Sequence, residues 1–432
     1  LQRFAVQSLQ QHLRELRGRN VEDGAVLVLD NATGAVLAWV GSSGQLSQAS
    51  AVWNINRQLG FCLGVALLSV LLNGLLAAQG AAQAQSSVQV YGLLSAGIGY
   101  VSDEGNGSRT HALSGTNQNP RIGFRGQEDL GDGTKAIFVL ENGFNVMTGT
   151  AAQSGRLFGR QSYVGLSSND KGTLTLGRQY EAVKDLLGPV VIASNGVHIG
   201  DNDNGYNNLR VQNAVKYVSP NISNLSFTGL YGFSENPEDS NRNRVYSMGA
   251  GYKVDAFSWA VAYTKMDHPN SPDAPNGAIG NDYGSSLLIF NKSAVKGAGV
   301  DSQAIAGTGG FYNVGRTKFG ALYTNVRYHY LDQSNLTLQN VDLNVNHKLT
   351  EALNLGASYF YTTGKYDVIN KTPKWHQVNF QADYFLSKRT DVAVTWSYQK
   401  AAGDATFARV FGFGASGGKT QSVLIVGMRH YF

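Results

Sequence analysis

The sequence predicts an all-β fold, an antiparallel transmembrane β-barrel of about 16 strands whose third loop folds inward. The first observation is alternation: from Val88 onward, apolar and polar residues alternate over segments of about ten residues. The second is that short polar turns alternate along the chain with long polar loops. The third is the spread of 21 Tyr and 19 Phe, often near the ends of these segments, which is typical of aromatic girdles.

Composition excludes several other classes of protein. With 432 residues and 15% charged residues, the chain is too large for one ordinary globular core and too regular to be disordered. The formal net charge is +5, but no dense run of Lys and Arg occurs, so a nucleic-acid partner is not expected. Cys62 is the only cysteine and lies in the one long apolar run. If that run is removed, the mature chain has no thiol, so neither a thiolate metal site nor a cysteine nucleophile is expected. No cofactor, metal or catalytic residue is expected elsewhere in the chain either.

The first part of the chain, residues 1–53, differs from the remainder. Gln2 to Arg17 has the pattern of a charged helix, and Gly24 to Ser42 has that of a β-hairpin around the turn Asp30-Asn-Ala-Thr-Gly34. This segment resembles the start of the transpeptidase domain of bifunctional penicillin-binding proteins of the 1C type. The Ser-x-x-Lys helix of that family does not come after it, so the resemblance implies a non-catalytic fragment, joined to the rest near Ala51 to Asn56.

Residues 54–84 have the features of a secretory signal peptide. Arg57 supplies a short positive region, Phe61 to Ala78 is the apolar run, and Ala82-Gln-Ala84 is an A-x-A cleavage site before Gln85. A transmembrane helix is the alternative, but the run is of borderline length and no positive flank comes after it. Residues 85–432 would then be the mature barrel.

The barrel segments show a polar face that suits a water-filled lumen. Val341, Leu343 and Val345 alternate with Asn340, Asp342, Asn344 and Asn346, for example. Tight turns are expected at 129–132, 168–171, 220–223 and 387–389, and long loops near 102–119, 181–210 and 267–303. Short turns on one rim and long loops on the other are typical of outer-membrane barrels.

Five segments, in this order, resemble the trimeric general porins of Gram-negative bacteria in their β-proteobacterial form. They are Val90-Tyr-Gly92, Asn119-Pro-Arg-Ile-Gly-Phe-Arg-Gly-Gln-Glu-Asp-Leu-Gly131, Phe158-Gly-Arg-Gln-Ser-Tyr-Val-Gly-Leu-Ser167, Gly172-Thr-Leu-Thr-Leu-Gly-Arg-Gln-Tyr180 and Val426-Gly-Met-Arg-His-Tyr-Phe432. Together they span nearly all of residues 85–432. The resemblance implies an outer-membrane diffusion porin that passes ions and small hydrophilic solutes, with lipid and two further copies of the chain as its partners.

The resemblance also implies a constriction in which basic residues on the barrel wall face acids on the third loop, 181–210. Arg121 and Arg178 match the basic wall, and alternation places Arg125 and Lys216 on the lumen side as well. Strict alternation puts Arg178 on the face of Leu174 and Leu176, so an inward Arg178 requires a bulge at Gly177. The acids would be Asp201 and Asp203, although the loop lacks the Pro-Glu-Phe-Gly-Gly motif of enterobacterial porins.

Two further expectations arise from this resemblance. Basic residues outnumber the acids in the expected constriction, so a weak preference for anions is expected. Phe432 matches the terminal aromatic residue by which the barrel-assembly machinery recognises such proteins.

Two alternatives remain. The chain could be a fragment of a peptidoglycan transpeptidase and glycosyltransferase fused to a porin, which only residues 1–50 support. Asp201-Asn-Asp-Asn-Gly205 also hints at a calcium loop, but its glycine and the residue at its twelfth position, Gln212, do not fit that motif.

Overall fold

The computed structural model describes residues 7, 8, 11, 26–29, 36–40, 87–105, 107–191, 197–269, 271–285 and 287–432. The chain divides into two compact units, Leu1–Gln83 and Ala84–Phe432. In the first unit, strands β1 (Val26–Leu29) and β2 (Val36–Val40) pair antiparallel, which confirms the expected hairpin. Of the helix expected over Gln2 to Arg17, residues 7, 8 and 11 are described and are helical. The expected signal peptide, 54–84, lies outside the described residues.

The second unit is a closed antiparallel barrel. Its strands are β3 (Ser87–Val101), β4 (Arg109–Ser114), β5 (Arg121–Gly131), β6 (Thr134–Gly143), β7 (Gln161–Ser168), β8 (Gly172–Gln179), β9 (Val211–Val218), β10 (Leu225–Gly232), β11 (Arg244–Val254), β12 (Phe257–Asp267), β13 (Val300–Val314), β14 (Thr317–Tyr330), β15 (Asn335–Lys348), β16 (Leu353–Tyr366), β17 (Pro373–Phe385), β18 (Thr390–Gly403) and β19 (Thr420–Tyr431). The last strand, β19, pairs with β3 and closes the wall.

The wall has 16 positions, as the sequence predicts, because β4 and β5 together occupy one of them. Strand β3 pairs with β4 along its second half, from Ala96 to Val101, and with β5 along its first half, from Ser87 to Leu93. Between β4 and β5 the chain leaves the sheet through Gly115, whose φ is 86°. A left-handed φ of this kind favours glycine. The loop expected over 102–119 therefore contains a strand and a break in the wall.

Alternation along the strands produces the two faces that the sequence predicts. On β15, Asn340, Asp342 and Asn344 are buried within the barrel, whereas Leu343 is 53% exposed on its outside. A wall of this kind presents apolar side chains to lipid and polar ones to the lumen. Among the helices in the described part of the chain, none is long and apolar enough to cross a membrane.

The two rims differ in the length of their connections. One rim carries the turns 132–133, 169–171, 219–224, 255–256, 315–316, 349–352 and 386–389. The other carries the loops 102–108, 144–160, 180–210, 233–243, 268–299, 331–334, 367–372 and 404–419. Within these loops lie the short helical turns Ala152–Gly155, Val183–Leu187, Gly188–Val190, Ile199–Asp201 and Gly280–Gly284.

Three of the loops pack against the inner face of the wall, whereas the sequence predicts only one. Loop 180–210 and loop 268–299 contribute to one apolar cluster with strands β9 to β18. Loop 404–419 contributes Val410 and Phe413 to a second cluster with Val101, Val423 and Ile425. The rings of Tyr206 and Phe411 lie 4.4 Å apart and join the third loop to the last one. The lumen is therefore narrowed by several loops together.

Candidate functional site: a constriction lined by arginines

The third loop, 180–210, is attached to the wall by an apolar contact. Its residues Ala182, Val183, Leu187, Val190 and Ile199 are almost completely buried. They pack in one cluster with inward-facing residues of the strands opposite, among them Ala260, Ala262, Ile305 and Leu322. Burial of a full aliphatic side chain contributes about 1.5–3 kcal/mol. This contact fixes the backbone of the loop inside the barrel.

Polar contacts fix the loop at defined points of the wall. The Thr264 hydroxyl donates to Glu181 at 2.7 Å, and the Thr324 hydroxyl donates to Asp203 at 2.8 Å. The Asn340 side chain donates to Asn202 at 2.7 Å. Because these partners lie on different strands, the loop is held along an arc of the wall instead of at one hinge.

The two aspartates expected in the constriction, Asp201 and Asp203, lie inside the folded loop and help to hold it. Asp201 accepts hydrogen bonds from the backbone N–H groups of Tyr206 and Asn208, at 2.8 and 3.1 Å. Burial, together with the neighbouring Asp203, raises the pKa of Asp201 to about 7. Asp203 is paired with His198 at 2.8 Å. Burial alone would raise the pKa of Asp203, but the charge and hydrogen bond of His198 lower it below the usual value.

Each aspartate is 1% exposed, so neither carboxylate lies on the water-lined surface of the lumen.

Four arginines follow one another along one side of the lumen; we call Arg121, Arg160, Arg210 and Arg178 the arginine ladder. Arg121 lies close enough to Arg160 to interact with it electrostatically, and so does Arg210. Arg178 donates to the backbone carbonyl of Arg210 at 3.4 Å. Burial and the neighbouring Arg160 lower the pKa of Arg210 to about 10, so all four side chains are positive at neutral pH.

Two carboxylates face the ladder, one near each end. Arg160 donates to Glu141 at 2.6 Å and to the Tyr180 hydroxyl at 3.0 Å. Arg178 pairs with Asp282 of loop 268–299, as does Arg156 at 2.8 Å. Tyrosines complete this side of the lumen: the Tyr206 hydroxyl donates to Asn119, and the Arg210 guanidinium lies over the Tyr180 ring. The ladder thus keeps an excess of positive charge.

The structure brings two of the expected basic residues into the ladder, Arg121 and Arg178. The irregularity expected at Gly177 is confirmed: its φ is 131°, and the pairing of β8 with β9 shifts between Gly177 and Gln179. Arg178 is accordingly buried, unlike Leu174 and Leu176 four and two places before it, which are exposed.

The other two expected basic residues lie elsewhere. Arg125 donates to Gln89 at 2.6 Å and lies over the Tyr91 ring, nearer the turn rim. Lys216 pairs with Asp185 in the first turn of the third loop.

A cavity of about 550 Å³ lies between the third loop and the turn rim of the barrel. Its cations are Lys184, Lys318 and Arg429, and its other lining groups include the amides of Asn117, Asn346 and Gln381. Asp383 is the acid on this surface and lies 3.6 Å from Arg429. Water and small anions can occupy such a polar, basic space.

Sequence reasoning missed Arg160, Arg210 and Glu141. Arg160 belongs to the matched segment Phe158 to Ser167, so that segment could have suggested it. Glu141 has no such signal, because its role depends on a contact with a residue 19 positions later in the chain. The described residues contain no cluster of His, Cys, Asp or Glu suited to hold a metal ion.

Comparison with known proteins agrees with this architecture. Residues 68–404 match the family model for Gram-negative porins. An outer membrane porin protein of Bordetella pertussis is 39% identical over 220 residues, which are 44% of this chain and 57% of that protein. Outer membrane porin protein 32 of Delftia acidovorans is 28% identical over 382 residues, which are 84% of this chain and 99% of that protein.

A solved structure has the same fold. The anion-selective porin from Comamonas acidovorans superposes with a TM-score of 0.66 at 23% identity. The match covers 81% of this chain and 100% of that one.

Proposed function

Because the chain belongs to the Gram-negative porin family, we propose that its barrel is an outer-membrane diffusion porin that prefers anions, with the arginine ladder as its selectivity element. The relatives are channels and not enzymes. The observation that carries the proposal is the burial of Asp201 and Asp203 inside the third loop. With these acids paired inside the loop, Arg121 is the partly exposed member of the ladder, and Arg160 and Arg210, 5% and 4% exposed, lie behind the lumen surface with Glu141 as the partner of Arg160.

The physical basis is electrostatic. Fixed positive charge beside a narrow aqueous passage raises the local concentration of anions and lowers that of cations. The effect falls with ionic strength, since the Debye length is about 10 Å at 0.1 M and about 3 Å at 1 M salt. The porin from Comamonas acidovorans that has the same fold is anion-selective, which supports anion selectivity for this barrel.

The remaining site residues divide into two roles. Arg178 and Lys216 each pair with an acid of an inward loop, Asp282 and Asp185, so we assign them to loop positioning as well as to the basic wall. Asp201 and Asp203 hold the third loop in place. Arg125 adds positive charge nearer the turn rim.

The organisation of the whole chain is part of the proposal. We propose that residues 54–84 are a signal peptide, that 85–432 form the mature barrel, and that 1–53 are a non-catalytic segment. The fused-transpeptidase alternative gains no support from the comparisons. We further propose a homotrimer, and recognition of Phe432 by the assembly machinery. Deleting Phe432 should then lower the amount of folded barrel in the membrane and leave single-channel conductance unchanged.

The test compares two arginines of the same strand and the same face. Arg121→Gln removes a charge from the ladder, whereas Arg125→Gln removes the same charge outside it. We expect the unaltered channel to show an anion-selective reversal potential in a KCl gradient, larger in dilute than in concentrated salt. Arg121→Gln should reduce that potential clearly more than Arg125→Gln.

Cation preference in the unaltered channel would overturn the proposed function. Equal shifts in the two variants would show that the ladder is not the selectivity element. Arg389→Gln, in an exposed turn, gives the baseline for a charge removed outside the lumen.

A further inference from the structure

The chain between β4 and β5 forms a short segment on the inner face of the barrel; we call residues 115–120 the inner strap. The strap begins where the Gly115 N–H donates to the Ser95 carbonyl of β3 at 2.8 Å. From there it extends past β19 to β17, where the Gln381 amide donates to Asn117 at 3.3 Å. The strap therefore spans the seam at which β3 and β19 close the barrel.

Two glycines leave room for the strap at this seam. Gly97 of β3 and Gly427 of β19 are paired in the sheet. A Cβ on Gly427 would collide with the Thr116 hydroxyl oxygen, and one on Gly97 would lie 2.9 Å from the Thr116 methyl group. Thr116 is 6% exposed, and its hydroxyl lies 3.2 Å from that of Ser95. The Thr116 side chain thus fills a notch that a larger residue at either glycine position would close.

The side chain of Asn117 holds the middle of the strap. It donates to Asp391 at 3.4 Å and to Asp383 at 3.5 Å, and it accepts from Gln381. Asp391 is itself fixed, since Arg429 donates to it at 2.9 Å. Each bond of Asn117 is long, but three partners on two strands surround its amide. The strap is therefore attached to β17 and β18, on the far side of β19.

The last residues of the strap lead into the arginine ladder. The Arg121 Nε–H donates to the Asn119 carbonyl at 3.1 Å, and the Asn119 side chain accepts from the Tyr206 hydroxyl of the third loop at 2.7 Å. Arg121 interacts electrostatically with Glu141 but, among the residues that the structure describes, forms no ion pair that would hold it. Pro120 restricts the backbone on both sides of itself. The position of the Arg121 guanidinium therefore depends on the strap.

We propose that Thr116 and Asn117 are positioning residues for anion selectivity. By seating the strap in the glycine notch and on β17 and β18, they fix Arg121 at the edge of the lumen. This role rests on the proposed function, in which Arg121 contributes to the selectivity. The interaction of a fixed charge with a passing ion weakens as the distance between them grows, so a displaced guanidinium selects less strongly. Neither positioning residue is charged, so each acts through a residue that is.

A double-mutant cycle in the full folded protein tests this role. Asn117→Ala and Arg121→Gln are made alone and together, and the reversal potential of each channel is measured in a KCl gradient. Only inserted channels conduct, so a lower folding yield does not enter the result. We expect Asn117→Ala alone to lower the permeability ratio of chloride to potassium roughly 1.5-fold to twofold. In the Arg121→Gln background it should have no further effect.

Two more variants sharpen the cycle. Asn346→Ala is the matched control, because Asn346 lines the same cavity from β15, and it should leave the permeability ratio unchanged. Gly427→Ala closes the notch against Thr116 without removing a polar group or a charge. It should lower the ratio in the same direction as Asn117→Ala, and this effect should also vanish in the Arg121→Gln background.

The proposal is overturned if Asn117→Ala leaves the ratio unchanged or changes it no more than Asn346→Ala does. It is also overturned if Asn117→Ala keeps its full effect in the Arg121→Gln background, because Asp383 and Asp391 would then be the groups through which it acts. Cation preference in the unaltered channel is a separate outcome. It would remove the proposed function, whereas the cycle still measures whether Asn117 acts through Arg121.

Discussion

At the scale of single residues, the pair Arg160–Glu141 carries most of the local electrostatics. Both side chains are at most 6% exposed, and their atoms Nε and Oε1 lie 2.6 Å apart. Such a pair gives little net stability relative to an apolar pair, but the loss of one partner leaves a buried charge without compensation. Glu141 therefore has two roles: it holds Arg160 in place, and it offsets part of the positive charge of the arginine ladder.

Glu141→Gln tests both effects. We expect the free energy of unfolding of the barrel to fall by about 3 kcal/mol, because Arg160 loses its ionic partner. We also expect the anion preference to rise, because one negative charge leaves the lumen. Urea unfolding and the KCl reversal potential measure the two results.

The matched control is Glu351→Gln. Glu351 pairs with Arg316 at 2.9 Å, but its side chain is 88% exposed, so its loss should leave stability almost unchanged. Equal losses in the two variants would contradict the assignment of a buried pair.

At the scale of elements, the third loop is a small packed unit whose apolar residues are buried against the inner face of the wall. Sequence could indicate that this loop is long and inward, because its length and position are local properties. It could not show that Asp201 and Asp203 are buried, since their partners Tyr206, His198 and Thr324 are brought to them only by the folded loop and wall. Nor could it show that loops 268–299 and 404–419 also fold inward, because each needs apolar residues on distant strands.

Leu187→Ala should loosen this unit. Leu187 is 1% exposed in the contact between loop and wall, and a Leu-to-Ala change at such a site costs about 2–5 kcal/mol. We expect single-channel recordings to show larger current fluctuations than in the unaltered channel. Leu176→Ala, at a position 55% exposed on the outside, should leave the recordings unchanged. Quiet currents in Leu187→Ala would mean that the apolar contact does not hold the loop.

The attachment of the loop should depend on pH. The pKa of Asp201 is about 7 in the folded loop and near 3.8 otherwise, so the folded loop binds the proton more tightly. Asp201 then contributes fully to the stability of the folded loop below about pH 4, and this contribution is lost as pH rises through about 7. His198, whose pKa is lowered by burial but raised overall by Asp203, acts in the same direction.

Hydrogen exchange of the Tyr206 and Asn208 amides, corrected for intrinsic rates, should therefore show weaker protection at pH 8 than at pH 5. Asp201→Asn, which resembles the protonated form, should keep at pH 8 most of the protection seen at pH 5. If the protection of these amides in Asp201→Asn still depends on pH as in the unaltered protein, Asp201 is not the cause of the pH dependence.

At the scale of the whole molecule, closure of the barrel depends on the seam between β3 and β19. The period of two and the spacing of the turns predict the number of strands, because both are local patterns that repeat along the chain. The broken position shared by β4 and β5 could not be foreseen from alternation. At the seam, the backbone groups of Gly92 and Phe432 exchange hydrogen bonds at 3.2 and 3.1 Å. The Phe432 ring covers Gly92, and a Cβ there would lie 2.4 Å from it.

Gly92→Val should thus weaken the seam. The added side chain would also meet the Arg121 carbonyl oxygen at 2.5 Å, and that atom is backbone and cannot turn away. We expect the folded barrel to lose its resistance to SDS at a lower temperature than the unaltered protein. Gly229→Val is the control, since the structure has open space there. Equal tolerance of both changes would show that the seam does not require a glycine.

The contact between the third loop and the wall has a consequence for engineering. Ala260, Ala262, Ile305 and Leu322 point into the barrel and are kept dry by the loop that covers them. Removing the loop to widen the channel would expose this strip of apolar side chains to the water of the lumen. A graft of the loop into another porin would likewise need this strip as its acceptor. The third loop and the apolar residues that it covers must therefore be removed or transferred together.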